Sequence, residues 1–460
     1  MSKKEGNTSL WARYWDVSSV AQTAHRNENI LSLIIKGLQA MLVMFGATII
    51  VPMNLGMSPQ TTLFGMGVGT IIFLILTKGK SPLMMGSSFA FMIGIMSVID
   101  PAYGPLAGRG YTQDERLAYA LGGVIVAGAV YLVLSLIVKL VGANRFMKAL
   151  PSVVTGPTVV LIGVILAPHA IEQFSANWIL GPLTLIIIIV VMIFGKGKRI
   201  GAFPVLIGLG GAYFIAVLMQ LAGATARDGG ELISIAMEDV SFFGLPPFIT
   251  PRFALVPILM LVPFSLATAA ENIVDNGIAG DEMGEDLLRD KPGLSRTLFA
   301  DGIQSMLVAA FGTPMNTTYS ENVGLLIITK VFSSVVVAIG AGFAILLGLS
   351  PAFAEVINSI PIAIIGGASF MLYGMIASIG MRTIKKHVDL DDEKNLIIVS
   401  VMLVIGIGMR FVRVPIVVNI ADQAVRLDRM NIAIAIIAGV ALNLIFILIN
   451  WIFTRIAGKR

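Results

Sequence analysis

The 460-residue chain has no cysteine. That excludes disulfides, thiolate metal sites and a cysteine nucleophile. Histidine is scarce too. The three residues His25, His169 and His387 are too few and too scattered for a metal centre. Charge is thin: 13% of residues are charged, against about 25% in a soluble domain. The net charge of +5 is small for this length and implies no nucleic-acid partner. The polar stretch from Met1 to Glu28 has no apolar core before a cleavage site, so no secretory signal peptide is expected and the first membrane helix serves as the targeting signal. With no metal cluster and no activated nucleophile legible, neither an enzyme nor a bound cofactor is expected.

The chain is instead rich in apolar residues, which make up 56% of it. Runs of roughly 17–25 apolar residues mark helices that cross a bilayer. They fall near 30–51, 61–76, 84–99, 117–140, 152–167, 178–194, 204–222, 253–275, 294–311, 320–329, 331–350, 361–381, 393–411 and 430–456. The sequence therefore predicts an all-α polytopic membrane protein of fourteen segments. Two segments are weak. The third opens with Gly86-Ser87-Ser88-Phe89 and the tenth follows Asn316-Thr317-Thr318-Tyr319. Each reads as a short extended stretch followed by a half-helix.

Basic residues collect in cytoplasmic loops. With the N-terminus inside, the inner loops hold Lys78 and Lys80, then Lys139, Arg145 and Lys148, then Lys196, Lys198 and Arg199. Later inner loops carry Arg289, Lys291 and Arg296, then Lys330, then Arg382, Lys385 and Lys386. The last outer loop departs from this with Arg410, Arg413, Arg426 and Arg429. The pattern places both termini in the cytoplasm and the chain in the cytoplasmic (inner) membrane.

A motif recurs seven segments apart. Pro151-Ser-Val-Val-Thr-Gly156 opens the fifth segment and Pro361-Ile-Ala-Ile-Ile-Gly366 opens the twelfth. The two broken segments are also seven apart. An odd repeat inverts the second half, and inverted repeats with paired broken helices mark secondary transporters whose site lies between the breaks.

Acids cluster around those breaks. Glu271, Asp275, Asp301 and Glu321 flank apolar helices, and an ionisable group at membrane depth marks function by default. Glu271 and Asp275 are four residues apart and share a helix face. Two such acids in a low dielectric do not both ionise cheaply, so one holds a proton at neutral pH. Glu271, Asp275 and Asp301 are the proton-coupling candidates, although Asp301 also suits a bracing role. Phe89 and Tyr319 offer flat apolar faces, and Ser320, Glu321 and Asn322 offer polar ones. This set suits a small planar molecule with N–H donors on more than one edge. It does not suit an inorganic anion, because the carboxylates repel one and no Lys or Arg accompanies them.

These residues resemble the nucleobase–ascorbate transporter family. Its signature, Gln/Glu-Asn-x-Gly-x-x-x-x-Thr-Lys/Arg/Gly, is matched by Glu321-Asn322-Val-Gly324-Leu-Leu-Ile-Ile-Thr329-Lys330. Gln39-Ala40 through Thr48 is similar to the family's first helix, Gly86 to Phe91 to its third, and Asp286 to Leu294 to the loop after its eighth. The first helix departs by carrying Ala40 where the family usually has His. The resemblance implies two inverted seven-segment repeats. Residues 1–29 are a cytoplasmic segment, 30–150 and 253–360 a core domain, and 151–252 and 361–460 a gate domain. It further implies a homodimer joined through the gate and a nucleobase bound by Glu271, Glu321 and Phe89.

Two branches compete for the substrate. Glu271 with Asp275, where uracil carriers typically have His, and Ala300-Asp301-Gly302 resemble the purine (xanthine and urate) branch. Glu321, in place of Gln, resembles the uracil branch. The reading favours proton-coupled import of purine bases (guanine, hypoxanthine or xanthine type), with uracil:proton symport as the alternative.

Overall fold

The structure is a computed structural model. It describes residues 29–460 except 103, 150, 197, 227–228, 236–239, 320–322, 324–325, 327–330, 413–416, 421–422, 427–429 and 458–460. Helices dominate. In chain order they are α1 (Ile30–Leu55), α2 (Pro59–Leu76), α3 (Phe89–Ile99), α4 (Gln113–Val141), α5 (Ala143–Ala149), α6 (Ser152–Phe174), α7 (Leu180–Phe194) and α8 (Pro204–Leu221). The second half holds α9 (Leu255–Leu261), α10 (Phe264–Met283), α11 (Leu294–Ala310), α12 (Ser334–Gly348), α13 (Pro351–Asn358), α14 (Ile362–His387), α15 (Glu393–Gly408) and α16 (Asn431–Ala457).

Among the described residues, nine helical spans are long and apolar enough to cross a membrane, ten if α12 and α13 form one span bent by 83°. The helices α3 and α7 are apolar but shorter. At 17 residues, α11 falls below that length, and most of the tenth predicted segment lies outside the described residues. The protein is therefore an all-α polytopic membrane protein, while the number of full crossings counted here is below fourteen.

The two weak segments begin as read. Met85–Ser87 forms strand β1 and α3 starts at Phe89; Asn316–Thr318 forms strand β2. Further elements were not expected. The short helix α5 lies between the fourth and fifth predicted segments. The eighth segment divides into α9 and α10, which together are long and apolar enough for one span. A helix α13 follows α12 because Pro351 cannot continue the ladder of α12 but suits a first helical turn; Ser350 caps it by accepting from the Phe353 amide at 3.3 Å. A hairpin of β3 (Val417–Ile420) and β4 (Gln423–Arg426) lies between α15 and α16.

Packing partners repeat with the seven-segment shift. The fourth segment (α4) packs on the ninth (α11), and correspondingly the eleventh (α12) packs on the second (α2). The fifth (α6) packs on the thirteenth (α15), and the twelfth (α14) on the sixth (α7). Likewise α7 packs on α8, and α15 on α16. The fifth and twelfth pair with each other. They run antiparallel, since Gly156 lies against Ile384 while Gly366 lies against Phe174.

Small residues let these two backbones touch. A Cβ added at Gly366 would meet the Phe174 backbone nitrogen at 2.2 Å, and one at Gly163 the Tyr373 carbonyl oxygen at 2.4 Å. Close approach of this kind supplies the van der Waals contact that lipid tails cannot better. Gly374, one residue beyond Tyr373 on α14, faces open space. Gly366→Ala is therefore expected to push α6 and α14 apart and to lower the thermal midpoint of detergent-solubilised protein clearly. Gly374→Ala is expected to leave it unchanged or raise it, since Ala favours a helix over Gly by about 1 kcal/mol. Fluorescence-detected size-exclusion after heating measures both.

Candidate functional site

Extended backbone at membrane depth must be satisfied by protein, because lipid offers no hydrogen bonds. Here the two breaks satisfy each other. β1 and β2 pair antiparallel, with Met85 opposite Thr318, Gly86 opposite Thr317 and Ser87 opposite Asn316. The Ser88 amide donates to the Met315 carbonyl at 2.8 Å. Ser88 Oγ then caps α3, accepting from the Phe91 amide at 3.3 Å. Gly86 has to be glycine. An added Cβ would meet the Met44 methyl at 2.7 Å and the Tyr319 ring at 2.8 Å.

Side chains from neighbouring helices hold the pair from behind. Thr70 Oγ1 accepts from the Met85 amide at 3.0 Å. Gln304 Nε2 and Ser305 Oγ both donate to the Asn316 carbonyl, at 3.0 and 2.9 Å. Asn316 Nδ2 donates to the Gly65 carbonyl at 3.1 Å. All of these groups are buried.

A cavity of about 80 Å³ opens in front of the pair. Phe89, Thr317, Thr318 and Tyr319 come from the breaks. Ala270, Glu271, Val274 and Asp275 come from α10. The opposite wall is Thr155, Val159 and Ile162 of α6 with Ile376, Ile379 and Thr383 of α14. Phe89 stands edge-on to Tyr319, with ring centroids 6.1 Å apart and planes at 74°. The Tyr319 hydroxyl donates to the Ser87 carbonyl, which ties the second break to the first.

The structure thus brings together Phe89, Tyr319, Glu271 and Asp275 of the predicted set. Glu271 is half-buried and Asp275 is 1% exposed. Among the described residues no Lys or Arg lines the cavity. Ser320, Glu321 and Asn322 lie outside the described residues.

Asp301 is placed differently. It is buried and does not line the cavity. Its carboxylate accepts from Asn272 Nδ2 at 3.0 Å and from Gln304 Nε2 at 2.7 Å. Asn272 Oδ1 in turn accepts from Asn276 Nδ2 at 3.2 Å, and Ser81 Oγ donates to Asn276 Oδ1 at 2.7 Å. A polar chain therefore runs behind α10, from the cavity helix to the residues that hold β2. Asp301 is thus held within the polar frame and not at the cavity wall.

Sequence reasoning missed Thr155, Thr317, Thr318 and Thr383 as cavity residues. For Thr317 and Thr318 the strand reading was available, but two paired strands with three residues each are too short for alternation to show which side chain faces the cavity. For Thr155 and Thr383 the only signal was a polar residue inside an apolar helix.

The brace generates a stability test. Asn272→Ala strips one donor from a buried carboxylate, and a buried charge left short of partners costs about 1–3 kcal/mol. The thermal midpoint of Asn272→Ala should fall. Adding Asp301→Asn should recover part of the loss, because the orphaned charge is then gone. Equal midpoints for Asn272→Ala and the parent would remove the brace.

The family model and the relatives agree on one assignment. A family model described as Permease family, the xanthine/uracil permease model, matches residues 31–415. The chain is 35% identical over 428 residues to a protein of Bacillus subtilis (strain 168) named uracil permease, covering 89% of this chain and 91% of that protein. It is 33% identical over 434 residues to the uracil permease of Escherichia coli (strain K12), covering 92% of each. The transmembrane domain of a cyanobacterial bicarbonate transporter, BicA, superposes with a TM-score of 0.62 at 14% identity, over 91% of this chain and 98% of that one. This last likeness is one of fold alone. With its signature motif, its repeated packing and its paired breaks, the chain belongs to the nucleobase–ascorbate transporter family of permeases.

Proposed function

We propose that this protein is a proton-coupled importer of a nucleobase and that uracil, not a purine, is its preferred substrate. The observation that carries the reading is the cavity in front of the strand pair. There two carboxylates of one helix face, Glu271 and Asp275, meet the rings of Phe89 and Tyr319 with no cation among the described lining. A flat ring can lie against the aromatic edges while its N–H groups donate to carboxylates. An inorganic anion finds no counter-charge there, so the fold shared with a bicarbonate transporter does not extend to its cargo.

The purine preference read from Asp275 and Ala300-Asp301-Gly302 gives way to the uracil alternative because relatives that match over most of their length are named uracil permease, with one named putative pyrimidine permease beside them. In this reading Glu271 accepts an N–H of the base from one side and Glu321 from the other. Proton coupling runs through Glu271 and Asp275. The core (30–150 and 253–360) carries the base past the gate (151–252 and 361–460) in the cytoplasmic membrane. Both termini are cytoplasmic, and the gates of two copies form a homodimer.

Uptake into proteoliposomes decides between the bases. Radiolabelled uracil is expected to accumulate under an inwardly directed proton gradient and to resist competition by guanine, hypoxanthine and xanthine. Accumulation of a purine with no uracil uptake would reverse the assignment. Glu271→Gln keeps shape and removes the charge. Hydrogen bonds to charged groups are worth more than neutral ones, so uracil affinity should fall roughly 10- to 100-fold, and proton-driven accumulation should be lost while folded protein remains. Wild-type accumulation by Glu271→Gln would remove that residue from the site.

A further inference from the structure

The cavity wall formed by α6 and α14 continues beyond the cavity, and its character changes there. On α6 the cavity residues Thr155, Val159 and Ile162 lie on one helix face. The same face continues at spacings of three and four through Leu166, His169 and Gln173. On α14 the cavity residues Ile376, Ile379 and Thr383 all lie to one side of Tyr373. At the far end of both faces sits Asn54, in the last turn of α1.

Asn54 joins three helices. Its Nδ2 donates to the Tyr373 hydroxyl at 2.9 Å. Its Oδ1 accepts from Gln173 Nε2 at 2.6 Å, and His169 Nε2 lies 3.3 Å from that same oxygen. Asn54 Nδ2 also faces the Met92 sulfur of α3 at 3.9 Å. Gln173 and Tyr373 are buried, and Tyr373 is only 1% exposed. The Tyr373 ring stands edge-on to Phe89, with centroids 5.8 Å apart and planes at 82°. One side chain therefore touches both this cluster and the aromatic at the cavity.

We infer that Asn54, Gln173, His169 and Tyr373 form a hydrogen-bonded latch that closes the outer side of the transport path in this conformation. With the N-terminus inside, α1 ends and α6 ends at the outer face, so the cluster lies outside the cavity and the cavity residues of α6 and α14 lie inside it. Asn54 belongs to the proposed core; Gln173, His169 and Tyr373 belong to the proposed gate. For the outer side to open, these hydrogen bonds break. The geometry assigns Tyr373 as a positioning residue, since it reaches the cavity through the ring of Phe89. The inference rests on the reading above, in which the core carries the base past the gate, and adds to it the residues that hold one side shut.

The absence of cysteine makes the test direct. A single Leu166→Cys, at a position 2% exposed and between cavity and latch, reports outer opening when cells are treated with a membrane-impermeant maleimide. Trp178→Cys, at a position 69% exposed in the loop after α6, reports that this loop is outside. Ala309→Cys, fully buried in α11, reports unfolding. Removing one or two buried hydrogen bonds with Tyr373→Phe or Asn54→Leu is expected to speed outside labelling at position 166 by about fivefold or more. Labelling at 178 should stay rapid and labelling at 309 should stay slow. If Asn54→Leu also exposes position 309, Tyr373→Phe, which removes only one oxygen, decides. Unchanged labelling at 166 in folded Tyr373→Phe overturns the latch. Uracil uptake by the parent is scored separately. Intact uptake with unresponsive labelling rejects the latch alone, and responsive labelling without nucleobase uptake rejects the substrate reading alone.

Discussion

The backbone hydrogen bonds between Met85–Ser87 and Asn316–Thr318 are the constraint on which the rest depends. A break in a membrane helix leaves N–H and C=O groups that lipid cannot satisfy. Each of these breaks is tolerable because the other lies opposite it. The two come from opposite halves of the chain, about 230 residues apart. Their pairing therefore fixes how the halves meet. It also fixes where the half-helix α3 begins, and with it where Phe89 points.

The polar residues behind the pair follow from the same requirement. Gln304, Ser305, Asn316 and Thr70 satisfy the strand edges, and Asp301 is held by Asn272 and Gln304. A buried polar network is stable only when its members find partners. That explains why an apolar bundle carries so many amides on α10 and α11. It also separates two kinds of acid. Asp301 is buried inside the frame. Glu271 and Asp275, on the adjacent helix, turn toward the cavity.

The opposite wall obeys a different rule. The helices α6 and α14 meet through glycine with backbone against backbone. Such a contact is close, and the wall it builds faces the cavity with Val159, Ile162, Ile376 and Ile379 beside two threonines, Thr155 and Thr383. Polar bonds from that wall to α1 concentrate at one end, around Asn54. The cavity thus lies between a polar frame and a largely apolar wall whose polar bonds to α1 gather at one end.

Sequence alone determined the class of the protein, its repeat and the position of its breaks. Hydropathy is local, so apolar runs announced most of the helices among the described residues, and Gly86-Ser87-Ser88 and Asn316-Thr317-Thr318 stood out inside apolar runs as extended stretches. Charge on a helix at membrane depth is costly wherever it occurs, so Glu271, Asp275 and Asp301 were legible as unusual residues. Their separation into cavity acids and a brace was not. It depends on which neighbour faces each carboxylate, and Asn272 and Gln304 reach Asp301 only when α10 and α11 lie side by side. The threonines of the cavity wall and the cluster around Asn54 likewise arise from contacts between segments remote in sequence, whereas the split of α12 from α13 is local, set by Pro351 and the Ser350 cap. Asn54, Gln173 and Tyr373 are isolated polar residues near the ends or middles of three separate helices. Only the packing of those helices gives each of them its partner.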